Sequence, residues 1–293
     1  MSKTLARALA LIGLASLGQG LFILFRVVPH ESPLLGAGLA ALGAGLLYCC
    51  PLPRVDRIAR WPLVLGGLGA ALGVVAYNLA RGATFVAPKL AIIAFGLLLA
   101  AAAPLTRRPR VANGVAWSIP LVGAPLLVWA AQALAKASFG GRTPMELFIE
   151  RALLAPMAAV LSLLGYHPWV DGQHVTFDTA GGGTMRLLVG VACSGIQAMG
   201  LFGGILVVYV IAERPTLRRG LAWSAVGLLG VYLVNVARLV TLALVGSAWG
   251  ADALERAHAQ AGWIFFVAWA GVFAWLATRR PRRSRRPPAP AQP

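Results

Sequence analysis

Long apolar runs dominate the chain and restrict what it can fold into. The 293-residue sequence is 59% hydrophobic and only 12% charged, which leaves too little polar surface for a soluble domain. A run of roughly 20 apolar residues is long enough to cross a bilayer as a helix. Such runs fall at about 8–25, 33–50, 62–80, 88–105, 113–135, 193–212, 220–246 and 262–278. The sequence therefore predicts an all-α polytopic membrane protein with about eight transmembrane helices.

The net charge of +17 is distributed as short clusters between the apolar runs and as one basic tail. This distribution excludes nucleic-acid binding and follows the positive-inside rule. If both termini are cytoplasmic, 17 of the 26 Lys and Arg residues lie on the cytoplasmic side. The amino-terminal run resembles a signal sequence but is longer than a usual one and has no convincing cleavage site, so we expect an uncleaved first span.

The region between the fifth and sixth spans is less regular. The run 145–166 carries Glu146, Glu150 and Arg151, so we expect an extracytoplasmic, partly interfacial helix, although a crossing segment is the alternative. Residues His174–Phe177 and Met185–Val189 flank a triple-glycine turn, which predicts a short β-hairpin. We divide the chain into three parts: an amino-terminal five-span region (1–144), a region that holds the candidate catalytic residues (145–278) and a disordered basic cytoplasmic tail (279–293).

Three polar residues stand out within or beside the later apolar runs: Cys193, Arg238 and His258. Cys193 is 21 residues before Arg214, Arg238 is 19 after Arg219, and His258 is 21 before Arg279. At about 1.5 Å per helical residue, each lies roughly 28–32 Å from its arginine, about one hydrocarbon thickness. We therefore expect all three at one depth, on the extracytoplasmic side.

Each of the three residues has a functional and an ordinary interpretation. We expect Cys193 to open a helix whose dipole lowers the pKa of the thiol, although a lone Cys is often only a small apolar residue. Arg238 within a membrane helix suggests function, with Asn235 one turn earlier as its partner; the alternative is a snorkelling side chain. His258, just before the last span, is either a proton carrier or a surface residue.

Taken together, the three supply what acyl transfer requires. A cysteine attacks a carbonyl, a histidine moves protons, and a cation stabilises the thiolate or the developing oxyanion.

The other histidines and cysteines are not assigned to the site. His30 lies in another outer loop, and His167 and His174 are loop or strand residues. The three cysteines form neither a disulfide framework nor a CxxC metal site, so we expect no metal and no cofactor.

The sequence around these residues resembles a known family. Ala-Cys-Ser-Gly-Ile at 192–196, Asn-x-x-Arg at 235–238 and the downstream His258 resemble the exosortase/archaeosortase family, over roughly 145–278. The resemblance implies a multi-pass membrane cysteine transpeptidase-like enzyme with Cys193 as the nucleophile. Arg238 and His258 would complete the catalytic set, and Ser194, Gly195 and Asn235 would support it or bind substrate.

The resemblance also implies a partner and a location. Family substrates are secreted proteins that end in a short motif, one transmembrane helix and a basic tail. Their new carboxyl end passes to an acceptor nucleophile, for which a lipid is one candidate. We expect the protein in the plasma membrane, among membrane lipids, with its active site on the extracytoplasmic face.

Two other functions are compatible with the sequence. A transporter would use Arg238 to bind an anionic solute, but it should have a second polar position among the first five spans, which are nearly devoid of charge. A non-catalytic assembly protein of the cell envelope would need none of the three polar residues. Substitution of Cys193 by Ala separates both from an enzyme.

Overall fold

The computed structural model describes residues 3–24, 33–49, 55, 58–82, 84–134 and 142–278. His30, Cys50 and the basic tail 279–293 therefore lie outside the described residues. The helices are α1 (Lys3–Leu24), α2 (Pro33–Cys49), α3 (Arg60–Arg81), α4 (Ala87–Ala102), α5 (Pro109–Ser118), α6 (Ala124–Leu134), α7 (Pro144–Leu147), α8 (Ala155–Leu163), α9 (Ile196–Glu213), α10 (Leu217–Trp249) and α11 (Ala251–Thr278).

Within the described ranges, six helical segments are long and apolar enough to cross a membrane. They are Arg60–Arg81, Lys89–Arg107, Pro109–Val128, Ile196–Glu213, Leu217–Trp249 and Ala251–Ala277. Two shorter apolar helices, Ala8–Leu21 and Pro33–Cys49, coincide with the first two predicted spans. The all-α polytopic fold is confirmed, whereas the number of helices that cross stays a prediction.

The core lies where α1, α9, α10 and α11 meet. Phe202 and Tyr209 of α9 are almost fully buried, and both contact the ring of Phe273 on α11 edge-on, with centroid distances of 5.1 and 5.9 Å. Edge-on aromatic pairs add stabilisation beyond the area that they bury. This cluster fixes the position of α9, whose first turn follows the candidate nucleophile.

A second cluster joins the segment Pro144–Leu163 to α10. Thr143 caps this segment through a reciprocal capping box with Glu146, and a π-helical stretch, Phe148–Leu154, separates α7 from α8. The hydroxyl of Tyr232 on α10 donates to the carbonyl oxygen of Ala152 within that stretch, at 2.7 Å. The segment is not among the six candidate spans, so its interfacial position stays a prediction.

The predicted hairpin is confirmed, with one additional strand. Strands β1 (Trp169–Asp171), β2 (His174–Asp178) and β3 (Thr184–Leu188) form an antiparallel sheet in the order β1-β2-β3. Gly182 in the turn has φ +81°, which glycine adopts at little cost. The sequence showed no separate signal for β1, because Trp169–Asp171 is only three residues long.

The sheet is fixed to the carboxyl-terminal end of α10. The backbone N–H of Ala180 donates to the hydroxyl of Ser247, at 3.1 Å, and the inward side chains Val175 and Phe177 are almost fully buried. Helix α10 has 33 residues, which makes it about 50 Å long, well beyond a hydrocarbon thickness of roughly 30 Å. One helix therefore carries both membrane packing and the extramembrane sheet.

Helix α9 offers a test of this packing in two adjacent glycines. A Cβ at Gly204 would collide with the backbone carbonyl of Pro120, whereas a Cβ at Gly203 would have open space. We expect Gly204→Ala to destabilise the protein by about 1–3 kcal/mol through overpacking. Gly203→Ala should be neutral or slightly stabilising, because Ala favours the helix. Thermal unfolding in detergent measures both, and equal midpoints would contradict the packing of α9.

Candidate active site

Cys193 lies on a tight turn between β3 and α9. A 3₁₀ turn spans Val191–Cys193, and the backbone N–H of Cys193 donates to the carbonyl of Gly190 at 3.0 Å. Helix α9 begins only at Ile196, with Gly195 as its N-cap. The prediction that Cys193 itself opens the helix is therefore wrong. The thiol instead precedes the helix by three residues and projects from a turn that follows directly from the sheet.

Gly195 allows the turn and α10 to approach each other. Its φ of +74° lies in the left-handed region, and a Cβ there would come within 2.5 Å of the side chain of Asn235. Asn235 occupies that space and donates from Nδ2 to the carbonyl oxygen of Ser194, at 3.0 Å. Ser194 is buried, and its hydroxyl donates to the Val191 carbonyl at 2.7 Å. Ser194, Gly195 and Asn235 thus hold the turn that carries the thiol.

Arg238 approaches the thiol from α10. Its side chain is buried, with 9% of the residue exposed, and Nη1 donates to Oδ1 of Asn235 at 3.2 Å. The guanidinium also lies close enough to Cys193 to donate a hydrogen bond to the sulfur. The spacing of three residues between Asn235 and Arg238 puts both on one helix face. A single face of α10 therefore positions both the turn and a cation beside the sulfur.

His258 completes the cluster from α11. Its Nε2 lies 3.5 Å from Sγ of Cys193, within hydrogen-bonding distance for sulfur, and the direction of the proton depends on the tautomer. His258 stands in the second turn of α11, Ala251–Thr278, upstream of the apolar run 262–278 that the sequence assigned as the last span. The structure brings Cys193, Arg238 and His258 together from three separate elements.

Burial governs the protonation of the thiol, which precedes the membrane-spanning part of α9. The partly buried position raises the pKa of Cys193, while the Arg238 charge and hydrogen bonds from the Gly190 backbone and Arg238 oppose this rise. The expectation that the helix dipole lowers this pKa is wrong, because loss of hydration outweighs the favourable groups. Arg238 and the Gly190 backbone therefore favour the thiolate, whereas burial disfavours it more strongly.

Two contributors to this site carried no sequence signal that we recognised. The Gly190 backbone lies against the thiol, and Tyr232 ties α10 to the preceding segment. Tyr232 precedes Asn235 by three residues, so the same helical spacing that links Asn235 to Arg238 could have identified it. His167 pairs with Asp178 at 3.0 Å on the exposed sheet, and it plays no part in the cluster.

The sequence of this region matches a known family. The family model described as transmembrane exosortase matches residues 84–275, about two thirds of the chain. The chain belongs to the transmembrane exosortase family. The match includes all three clustered residues and begins upstream of 145, so it also covers α4 to α6, beyond the range 145–278 over which we noted the resemblance. A comparison with curated proteins found no match, and neither did one with solved structures.

Exosortase membership makes this chain a multi-pass membrane protein of a family that sorts and processes other proteins.

The cluster of Cys193, Arg238 and His258 has an electrostatic consequence that can be measured. We expect Arg238→Gln to raise the pKa of Cys193 further, since it removes the cation that stabilises the thiolate. Arg238→Lys should shift the pKa less, because it retains the charge.

The rate of iodoacetamide alkylation of Cys193 against pH measures this shift by mass spectrometry, with Cys49 and Cys50 replaced by Ala. The midpoint should lie at a higher pH in Arg238→Gln than in the parent. Unfolding midpoints of the variants serve as the control for intact structure. Superimposable pH profiles for the parent and Arg238→Gln would refute the electrostatic coupling.

Proposed function

We propose that this exosortase is a cysteine peptidase and transpeptidase that cuts the carboxyl-terminal sorting region of secreted proteins. The observation that supports it best is the 3.5 Å approach of Cys193 Sγ and His258 Nε2, with the buried guanidinium of Arg238 beside the sulfur. A nucleophile and a base within hydrogen-bonding reach are the signature of covalent catalysis. The three residues come from three separate elements, and Cys193 and His258 are 65 positions apart in the chain.

Each group has a defined part in the reaction. His258 takes the proton of the thiol, and the sulfur attacks the scissile carbonyl carbon. Arg238 stabilises the thiolate and then the oxyanion of the tetrahedral intermediate. The carbon–nitrogen bond breaks as His258 returns the proton to the leaving amine, which leaves a thioester on Cys193. An acceptor nucleophile, or water, gives its proton to His258 and displaces the sulfur.

Asn235 acts as a positioning residue in this scheme. Its amide donates to the turn that carries the nucleophile and accepts from the guanidinium. Bridging both groups keeps the cation aligned with the thiol while the substrate displaces solvent. Ser194 and Gly195 support the same turn, the first through its hydroxyl and the second through the absence of a side chain.

The proposed substrate is a secreted protein that ends in a short motif, one transmembrane helix and a basic tail. We place the enzyme in the plasma membrane with both termini cytoplasmic and Cys193 on the extracytoplasmic face. This orientation puts 17 of the 26 Lys and Arg residues on the cytoplasmic side, the bias that the positive-inside rule favours. The substrate helix would pack against the bundle and present its preceding segment to the turn. A lipid or another envelope molecule would serve as the acceptor.

The decisive test uses a reporter with such a carboxyl end from the source genome, fused behind an exported globular domain. Co-expression with the wild type should shorten the reporter, as measured by the mass of its carboxyl end. Cys193→Ala should leave the reporter uncut, because no other group can form the thioester. Cys49→Ala is the matched control, since Cys49 is exposed and lies in α2. Equal cleavage by wild type and Cys193→Ala would contradict the proposal.

The role of His258 can be separated from that of the thiol. We expect His258→Ala to lower the cleavage rate by about 10²–10⁴-fold, the usual contribution of a general acid–base group. His167→Ala is the control, since His167 is an exposed histidine outside the cluster. Reporter mass measured over a time course gives both rates. A His258→Ala enzyme as fast as the control would exclude His258 from proton transfer.

A further inference from the structure

The strand that leads to the candidate nucleophile has one side without a partner strand. The sheet order β1-β2-β3 leaves β3 at an edge. In antiparallel pairing, successive residues direct their backbone groups alternately toward and away from the partner. The N–H of Val189 donates to the Gln173 carbonyl at 2.9 Å, and the Gly183 carbonyl accepts from Thr179 at 2.8 Å. Odd-numbered residues of β3 therefore face β2.

The even-numbered residues Thr184, Arg186 and Leu188 consequently direct their N–H and C=O groups away from the sheet. All three residues are exposed, Leu188 to 56%. Within the described part of the chain, the turn and loop hydrogen bonds include none of these groups. They form a row of alternating backbone donors and acceptors, which is the complement of another extended peptide.

The strand is held firmly from its other face. The side chains of Met185, Leu187 and Val189 pack into the cluster that includes Val240 and Ala243 of α10. The edge therefore lies on a rigid support, so a bound peptide would not have to order the strand first, a cost that weakens recognition by flexible segments.

The same edge runs directly to the thiol. Gly190 is the next even-numbered residue, and its backbone forms a hydrogen bond that stabilises the thiolate of Cys193. A thiolate accepts hydrogen bonds, and the donor of the Gly190 backbone is its N–H. The sulfur thus occupies the position that follows Leu188 along the row of outward groups. A Cβ at Gly190 would meet nothing within 4 Å, so there is open space at this residue, where the strand leads into the nucleophile turn.

We propose that the substrate segment preceding the transmembrane helix binds as a fourth strand along the free edge of β3, with its scissile carbonyl at Cys193. This inference rests on the proposed function and specifies how its substrate is held. Main-chain pairing would provide affinity, and contacts with alternate side chains of the segment would recognise its short motif. It also aligns the peptide bond, because the strand register determines which carbonyl reaches the sulfur.

Arg186 allows a test that alters one edge group. Arg186→Pro removes an outward N–H and leaves the pairing with β2 intact, since proline is tolerated on edge strands. Arg186→Ala is the matched control, because it also removes the guanidinium but keeps the N–H. We expect Arg186→Pro to cleave the reporter about tenfold more slowly than Arg186→Ala, the loss expected for one hydrogen bond. Alkylation of Cys193 should be the same in both, which shows that the fold is intact.

Disulfide trapping provides a second readout that does not depend on the proline variant. Leu188→Cys, in an enzyme with all three native cysteines replaced by Ala, should cross-link to reporter cysteines at every second position of the segment. Leu187→Cys is the control, because Leu187 faces inward and packs against the core cluster. Cross-links between two enzyme copies instead would identify the edge as a self-interface and overturn the proposal.

The outcomes separate the two proposals. If the wild type cleaves the reporter, equal rates for Arg186→Pro and Arg186→Ala without cross-links at Leu188→Cys would overturn strand binding alone. If the wild type leaves the reporter uncut, the proposed function fails; alternating cross-links at Leu188→Cys would then still support strand binding, and their absence would overturn it as well.

Discussion

The buried guanidinium of Arg238 is the constraint on which the site depends. A guanidinium that is taken out of water needs polar partners, because burial of an unpaired charge is costly. Here the charge meets the amide oxygen of Asn235 and the sulfur of Cys193. These contacts offset part of the cost, and they do so only in this tertiary arrangement. Cation, amide and thiol therefore stabilise one another's positions.

Helix α10 connects this constraint to the rest of the protein. One of its faces carries Asn235 and Arg238, Tyr232 bonds to the π-helical stretch of the preceding segment, and Ser247 bonds to the sheet. Because α10 has 33 residues, it continues past the hydrocarbon region and supports extramembrane structure. A shift of α10 would move the cation, the nucleophile turn and the sheet together.

The thiol illustrates why local rules were insufficient. A cysteine near the amino end of a helix is expected to have a lowered pKa, yet the pKa of Cys193 is raised. Burial between the turn, α10 and α11 removes hydration from the thiolate, and this loss exceeds what nearby donors return. The imidazole of His258 lies within hydrogen-bonding distance of this thiol, which is why we propose it as the base.

The sequence alone predicted the membrane fold, the hairpin and the candidate residues Cys193, Arg238 and His258. Hydropathy, glycine turns and the spacing of Asn235 and Arg238 are local or periodic signals. Each can be recognised without knowledge of the neighbouring helices. Counting residues from flanking arginines placed three side chains at one depth, because helical rise is nearly constant. Depth alone leaves their positions around the bundle unspecified.

Only the tertiary structure decided that these three side chains meet, since lateral position depends on how α9, α10 and α11 pack. It also decided that α9 begins at Ile196, that His258 belongs to the last helix, and that β3 is an edge strand. Aromatic contacts around Phe273 determine how α9 packs against α11, and the missing side chain at Gly195 lets the turn that carries Cys193 approach α10. Such contacts join residues far apart in the chain, and no pattern within one segment encodes them.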